Sequence, residues 1–400
     1  MNHVLGSGTV VALVALLMAF ETGCTFYTSC PTGTANNNGN GNAGSTGTGG
    51  GGQQTGGVKG LGDGGTIPTG VWINVTSNLA GIPSECGNLS GMSAKPDEDL
   101  LIAGVSKNGL FGSTDGGMTW QSLGTGAGSD VITNRLSAVV YDPANTMRFW
   151  ESGLYNGGGV YETTDDGATF HVQGDTNQVD LVSVDFSDPD RKTLVAGGHE
   201  QPMSLRSSLD GGKTWMDIGA GLPAATNCTL PFVIDSQTYL VGCGGYGGGP
   251  SGVYRTTDGG STWTQVTANG GAGAPLHASD GSIYTGGPNS GGFTRSMDNG
   301  LTWSDPVGAG VVEGPEIIEL PDGRLASLSK QYVLVSADHG VTWAAASSLV
   351  PYTDASPAAG LIYSAQQKAF FIWHSTCGFD GPLPVPTDAI MRYDFDYQND

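Results

Sequence analysis

Six times along this chain a serine or threonine stands two residues before an aspartate, with a glycine two residues after it and a threonine–aromatic pair close behind. The copies are Ser113–Trp120, Thr163–Phe170, Ser208–Trp215, Thr256–Trp263, Ser296–Trp303 and Ser336–Trp343. Their template is Ser/Thr-x-Asp-x-Gly-x-Thr-Trp, with Phe170 the single departure. The aspartates Asp115, Asp165, Asp210, Asp258, Asp298 and Asp338 lie 40 to 50 residues apart. That period fits one four-stranded propeller blade and is too long for helical repeats of the ankyrin kind.

Each copy has a local physical reading. The aspartate can accept hydrogen bonds from the turn amides that follow it, and the glycine tolerates positive φ. The Thr-Trp pair opens the next strand and offers a large ring for burial. Apolar runs such as Gly252-Val-Tyr-Arg255 and Tyr332-Val-Leu-Val335 precede the copies, so each one reads as a hairpin between antiparallel strands.

These residues resemble the Asp-box, or bacterial neuraminidase repeat, of the sialidase-like propellers, over roughly residues 70–396. The resemblance implies an all-β propeller. It leaves the activity open, because Asp-box proteins include glycosidases, sorting receptors and photosystem assembly factors.

Counting strands between the boxes gives six blades, beginning near Leu89, Leu136, Val179, Cys228, Pro275 and Glu316. Beyond the sixth box remain three strand-like runs, Leu361–Ser364, Ala369–Trp373 and Ile390–Phe395. The missing fourth stands at the other end of the chain. Trp72-Ile-Asn-Val-Thr76 repeats the Trp and Val-Thr of Trp263-Thr-Gln-Val-Thr267, the strand after the fourth box. The expected fold is therefore a seven-bladed β-propeller of four-stranded antiparallel blades, closed by an N-terminal strand, with six blades as the alternative. Closure would remove the open sheet edges of a linear array.

Ahead of the propeller, Val10–Phe20 is an apolar run too short to span a membrane and suited to a signal peptide. Gly23-Cys24 follows, which resembles a bacterial lipoprotein signal and implies lipidation at Cys24. Residues 1–23 are read as signal, 24–65 as a Gly/Asn/Thr-rich tether and 66–400 as the propeller. From Pro31 to Gly65 there is almost nothing to bury, so the tether should be flexible with a reach of roughly 30–35 Å. The expectation is export to a bacterial cell envelope or surface by a lipid anchor, or secretion, as a monomer that meets the membrane only through that anchor. A formal charge of −22 and a pI near 4.3 exclude a nucleic-acid partner.

In an exported chain, Cys228 and Cys243 are equidistant from the turn at Asp235-Ser236, which predicts a disulfide across the fourth blade's inner hairpin. Cys86 precedes the first blade and Cys377 lies in the seventh, so a second bridge would lock the ring. No spacing of Cys or His predicts a metal site, and no cofactor motif is present.

In a blade that runs down, up, down, up from the axis, the boxes and first turns share one face. The loops between second and third strands, and the links between blades, share the other. Function in propellers generally uses that second face. It gathers Tyr155, Asn156, His199, Glu200, Gln201, Tyr246, Lys330, Tyr332 and His374 from loops, with Asn134, Arg135, Asp180, Asn227, His277, Glu313 and Glu316 at inner-strand entrances. Aromatics, amides and carboxylates on one rim suit a carbohydrate or cell-surface polymer. The catalytic candidates are Glu200, His199, Tyr155 and Glu313. Arg135, Asn156, Gln201, Asn227, Tyr246, His277, Lys330, Tyr332 and His374 are candidates for substrate binding. A sialidase would need three rim arginines, and the other arginines fall in box-side turns or outer strands. Two classes remain: a glycan-active hydrolase or lyase, and a non-catalytic binding or assembly propeller.

Overall fold

In the box at 336–343, Asp338 Oδ1 accepts from Ser336 Oγ at 2.9 Å and from the Thr342 amide at 2.8 Å. Its Oδ2 accepts from Thr342 Oγ1 at 2.6 Å, and the Gly340 amide donates to Ser336 Oγ at 2.8 Å. The same four bonds recur in the other five boxes. One carboxylate thus satisfies the donors of a turn whose two central residues are left-handed, His339 (φ 61°) and Gly340 (φ 88°) here. The second of these is glycine in every copy, and packing gives the reason. A Cβ on Gly300 would lie 2.5 Å from Leu240 of the preceding blade.

The computed structural model describes residues 58–59, 68–84, 89–244, 250–287, 291–312, 316–352, 358–374 and 389–398. The chain is all-β with almost no helix, and forms a ring of seven antiparallel blades. The second blade is Arg135–Tyr141, Phe149–Leu154, Val160–Thr163 and His171–Val172, innermost strand first. The third is Val179–Val184, Leu194–Gly198, Leu205–Ser208 and Met216–Asp217. The first begins at Leu89–Ala94, the fourth at Cys228–Val233 and the sixth at Ile318–Glu319. In the fifth, the outer strand shrinks to a bridge between Phe293 and Val307 and a bond from Ser304 N to Arg295 O. Pro306 stands in that stretch and has no N–H to give.

The seventh blade is completed from the far end of the chain. Gly360–Ser364, Ala369–Trp373 and Ile390–Asp394 are joined by Ile73–Asn74, with Ile73 opposite Arg392 and Asn74 opposite Met391. Val75 N donates to Ile390 O, and Ile390 N donates to the Thr76 hydroxyl oxygen. One apolar cluster then unites Leu89, Leu101 and Trp120 of the first blade with Val75, Phe371, Trp373 and Ile390 of the last. Outside the sixth blade, Val58–Lys59 adds a short parallel strand against Trp343–Ala345. Pairing therefore reaches upstream of Gly65, where the sequence places the end of the tether.

Three of the box tryptophans stitch blade to blade, while Trp303 and Trp343 donate to Gly300 O and Gly340 O of their own boxes. Trp120 Nε1 donates to Val75 O, Trp215 Nε1 to Gln173 O and Trp263 Nε1 to Ile218 O, each acceptor lying just past the preceding blade's outer strand. The first turns add polar clamps on the same face. Lys95, almost wholly buried, reaches Asp166 of the second box at 2.8 Å, and Arg191 grips Asp142 with two nitrogens. The boxes and first turns are thereby committed to scaffold, and the opposite face is left to the loops.

Cys228 and Cys243 form a disulfide, in direct register across the fourth blade's inner hairpin. Cys24, Cys86 and Cys377 lie outside the described residues. Among the described residues no helix is long and apolar enough to cross a membrane.

Candidate functional site

Strand two ends on the face opposite the boxes, and the residue after it is Tyr155 in the second blade and His199 in the third. These equivalent positions meet across the seam. Tyr155 Oη lies 2.8 Å from His199 Nε2, with the rings edge to face. His199 Nδ1 lies 2.8 Å from Asp180 Oδ1, and Asp180 comes from the entrance of the third blade's inner strand. The result is an Asp–His–Tyr chain that spans two blades. Glu200 places Oε1 3.6 Å from the same His199 nitrogen, and the Arg135 guanidinium carbon sits 5.7 Å from the Tyr155 ring centroid.

Burial sets the electrostatics. Asp180 and His199 are each 3% exposed, while the Glu200 side chain is 42% exposed and Tyr155 is half-buried. Burial raises the Asp180 pKa, and the hydrogen bond from His199 opposes that rise. Burial also raises the Tyr155 phenol, and the nearby Glu200 carboxylate adds to the shift, so the phenol is protonated at neutral pH. With Asp180 ionised, Nδ1 carries the imidazole proton and Nε2 accepts from the Tyr155 hydroxyl. A proton at Tyr155 Oη can then move toward the imidazole or out toward a bound group.

The backbone here is strained. Tyr155 and Glu200 hold φ of 52°, a left-handed conformation disfavoured for side chains of their size, and Asn156 shares that φ, which asparagine tolerates. His199 N bonds Gln178 O at 2.6 Å, which fixes the third-blade loop to the link before it.

The structure thus brings Tyr155, His199, Glu200 and Arg135 together, and Asn156 follows on the same loop, exposed. Gln201 lies in the turn closed by Ser204 N to Gln201 O. Asn227 is in the next blade's link, 8% exposed, its carbonyl accepting from Gly244 N and its side-chain oxygen without a partner. Other candidates are not brought to this cluster. His277 pairs with Ile283 beside its blade's first turn and packs edge-on against Phe232. That is the box-side end of the inner strand, because the fifth blade's inner strand is only two residues long. Tyr332 is buried in the apolar cluster with Phe293 and Trp343. Lys330 is exposed on the sixth blade, and Glu316 accepts from Leu361 N at the seam with the seventh. His374 is wholly buried against Tyr352, and burial pushes its pKa down to about 4. Tyr246 and Glu313 lie outside the described residues.

Asp180 was legible as an inner-strand entrance, but its partnership with His199 was not. Glu151 was missed altogether. It is a wholly buried carboxyl in the second blade's Phe-Trp-Glu-Ser-Gly-Leu strand, where the neighbouring blades have Leu-Ile-Ala-Gly-Val and Leu-Val-Ala-Gly-Gly. That contrast is the signal that could have found it.

No family model matches the chain. A probable oligoxyloglucan-reducing end-specific xyloglucanase of Neosartorya fischeri is 28% identical over 224 residues, 48% of this chain and 26% of its own length. The chain therefore spans about a quarter of that curated relative. Among solved structures, the extracellular domain of a putative hybrid two-component system from B. thetaiotaomicron superposes with a TM-score of 0.53 at 12% identity, covering 81% of this chain and 42% of that one. YCF48 bound to D1 peptide gives a TM-score of 0.50 at 16% identity, covering 82% of this chain and 97% of that one. At these identities the structural likeness establishes the propeller fold.

Proposed function

We propose that this protein is an exported, lipid-anchored Asp-box propeller that acts on glycans at the rim of its second and third blades, as a glycoside hydrolase or a polysaccharide lyase. The observation that carries the reading is the Asp180–His199–Tyr155 hydrogen-bonded chain, held on strained backbone on the face that the boxes leave open. The six identical box networks support the Asp-box assignment, and the sequence likeness to a probable xyloglucanase supports a glycan substrate.

Bond scission between sugars needs a group that can deliver or remove a proton at an oxygen or ring carbon. Tyr155 presents a neutral phenol backed by an imidazole, itself oriented by a buried carboxylate. This is the geometry of a general acid–base group whose proton has a defined route inward. Glu200 supplies a second, more exposed carboxyl beside Nε2, the nitrogen that faces Tyr155, suited to receiving a proton from a sugar hydroxyl or water. Arg135, Asn156 and Gln201 border the site with donors for hydroxyls.

The full chain would be incubated with a panel of neutral and acidic polysaccharides, with products identified by mass spectrometry. Hydrolysis adds the mass of water, whereas elimination leaves an unsaturated product. Turnover lost in both His199→Ala and Glu200→Gln, with folding retained, is the expected result. Wild-type turnover in both variants removes the chemistry from this site. Binding without any turnover reassigns the rim to recognition alone.

A further inference from the structure

Glu151 and Asn134 lie beneath the loop that carries Tyr155, and neither takes part in the proton route. Asn134 precedes the second blade's inner strand and is 2% exposed; Glu151, on the adjacent strand, is wholly buried. The Asn134 amide nitrogen donates twice, to Glu151 Oε2 at 3.2 Å and to Gly158 O at 2.9 Å. Gly153 lies flat against that amide, since a Cβ there would stand 2.3 Å from its carbon. The Thr133 hydroxyl holds Asn156 O, and Gly158 N donates to Tyr161 Oη at 3.1 Å. The two left-handed residues Tyr155 and Asn156 are therefore spanned by a backbone tied down from below.

From this geometry we infer that Glu151 and Asn134 form a buried latch that positions the Tyr155 hydroxyl on His199. The inference rests on the Tyr155–His199 site proposed above, and concerns how that site is held rather than what it cleaves. Gly158 O and Glu151 Oε2 together hold the amide in one orientation. The Gly158 carbonyl can only accept, so the flipped amide would set oxygen against oxygen there, and Glu151 Oε2 accepts the second amide hydrogen. No ion pair to Glu151 occurs among the described residues, and Glu151 Oε1 and Asn134 Oδ1 have no hydrogen-bond partner. A carboxyl so placed is kept in its neutral form, in which Oε2 still accepts. Tyr161 is its cross-strand neighbour and the titratable side chain facing it, and burial raises the Tyr161 phenol as well. A leucine would fill the space but could not orient Asn134, whereas glutamine could. Glu151 and Asn134 are positioning residues, acting through the Tyr155–Gly158 loop.

The test needs no substrate. The His199 ring nitrogens and the Tyr155 ring are observed by NMR in the full chain at neutral pH, with Tyr155→Phe and His199→Ala fixing the assignments. Glu151→Gln should keep the wild-type signals, while Asn134→Ala and Glu151→Leu should shift His199 to the Tyr155→Phe pattern in a folded protein. Wild-type His199 and Tyr155 signals in both disrupted variants would overturn the latch. In the unmutated chain the Asn134 side-chain amide protons should resist exchange with solvent, and rapid exchange would overturn it whether or not the variants fold. Glycan turnover is not read, so the latch can fail while the glycan reading stands, and the reverse.

Discussion

Trp72 donates its indole N–H to Ser348 O at 3.3 Å, from one end of the propeller sequence to the other. Trp263 makes the corresponding bond to Ile218 O, in the preceding blade, at 2.9 Å. Trp72 thus serves the seventh blade as Trp120, Trp215 and Trp263 serve theirs, although it lies 318 residues ahead of Ile390 by the numbering.

This relationship predicts the outcome of truncation. Deleting residues through Thr76 removes the seventh blade's outer strand and should lower the melting temperature sharply or abolish a single transition. Deleting through Gly65 spares Trp72–Thr76 and removes only the short Val58–Lys59 pairing, so its effect should be small by comparison. Calorimetry of the two truncations distinguishes them, and equal melting temperatures would contradict closure by Trp72.

The boxes predict behaviour in acid. Hydrogen bonds from the following Thr hold Asp210 and Asp258 down to about 2. Depressed folded-state values mean that the contribution is present above the ordinary carboxylate range and is lost as pH falls through about 2. Asp210→Asn and Asp258→Asn should therefore differ most from wild type near neutral pH and converge with it below pH 2. Urea midpoints across that range provide the measurement.

Glu151 predicts the opposite slope. Burial pushes its carboxyl up to about 8 from an ordinary 4.5. The unfolded chain then releases this proton above pH 4.5 while the folded chain keeps it, so stability falls as pH rises from about 4.5 to 8. The slope from one such group is at most about 1.4 kcal/mol per pH unit. Glu151→Gln should remove this component, gaining on wild type as pH rises; parallel profiles for the two proteins would refute the neutral carboxyl.

Tyr155→Phe keeps the ring against His199 and removes one oxygen. If that hydroxyl transfers the proton, turnover should fall by at least about 10²-fold with substrate affinity nearly unchanged. A variant with wild-type rate would move the acid elsewhere, Glu200 first.

How far the sequence revealed this molecule depends on where its information is local. A box declares itself because Ser336, Asp338, Gly340 and Thr342 satisfy one another within seven residues. Ring closure was also readable, since Trp72-Ile-Asn-Val-Thr76 copies a strand that the chain uses elsewhere. The fifth blade's thin edge was not read in advance, although Pro306 stands in it. The rim was legible as a set of polar loops and not as a site. Tyr155 and His199 meet because strand ends in neighbouring blades converge, and no spacing within one blade records that. Tyr332 and His374 stand beside strand ends as rim residues would, but Tyr332 is buried in an apolar cluster and the His374 ring packs against Tyr352. Glu151 belongs to no box, turn or loop motif and shows itself only by standing in a strand buried throughout.

The strand at Ile73–Asn74 has a consequence for the order of events during synthesis. A chain made from its amino terminus produces this strand among the first of the propeller, yet Ile390–Asp394, its partner, comes among the last. Trp120 finds Val75 as soon as the first blade forms, whereas Trp72 must wait for Ser348. Until then the nascent protein carries an apolar edge at each end, and each edge could pair with a second molecule. The final hairpin acts as a clasp, and the interval before it closes is when a holding chaperone would matter most.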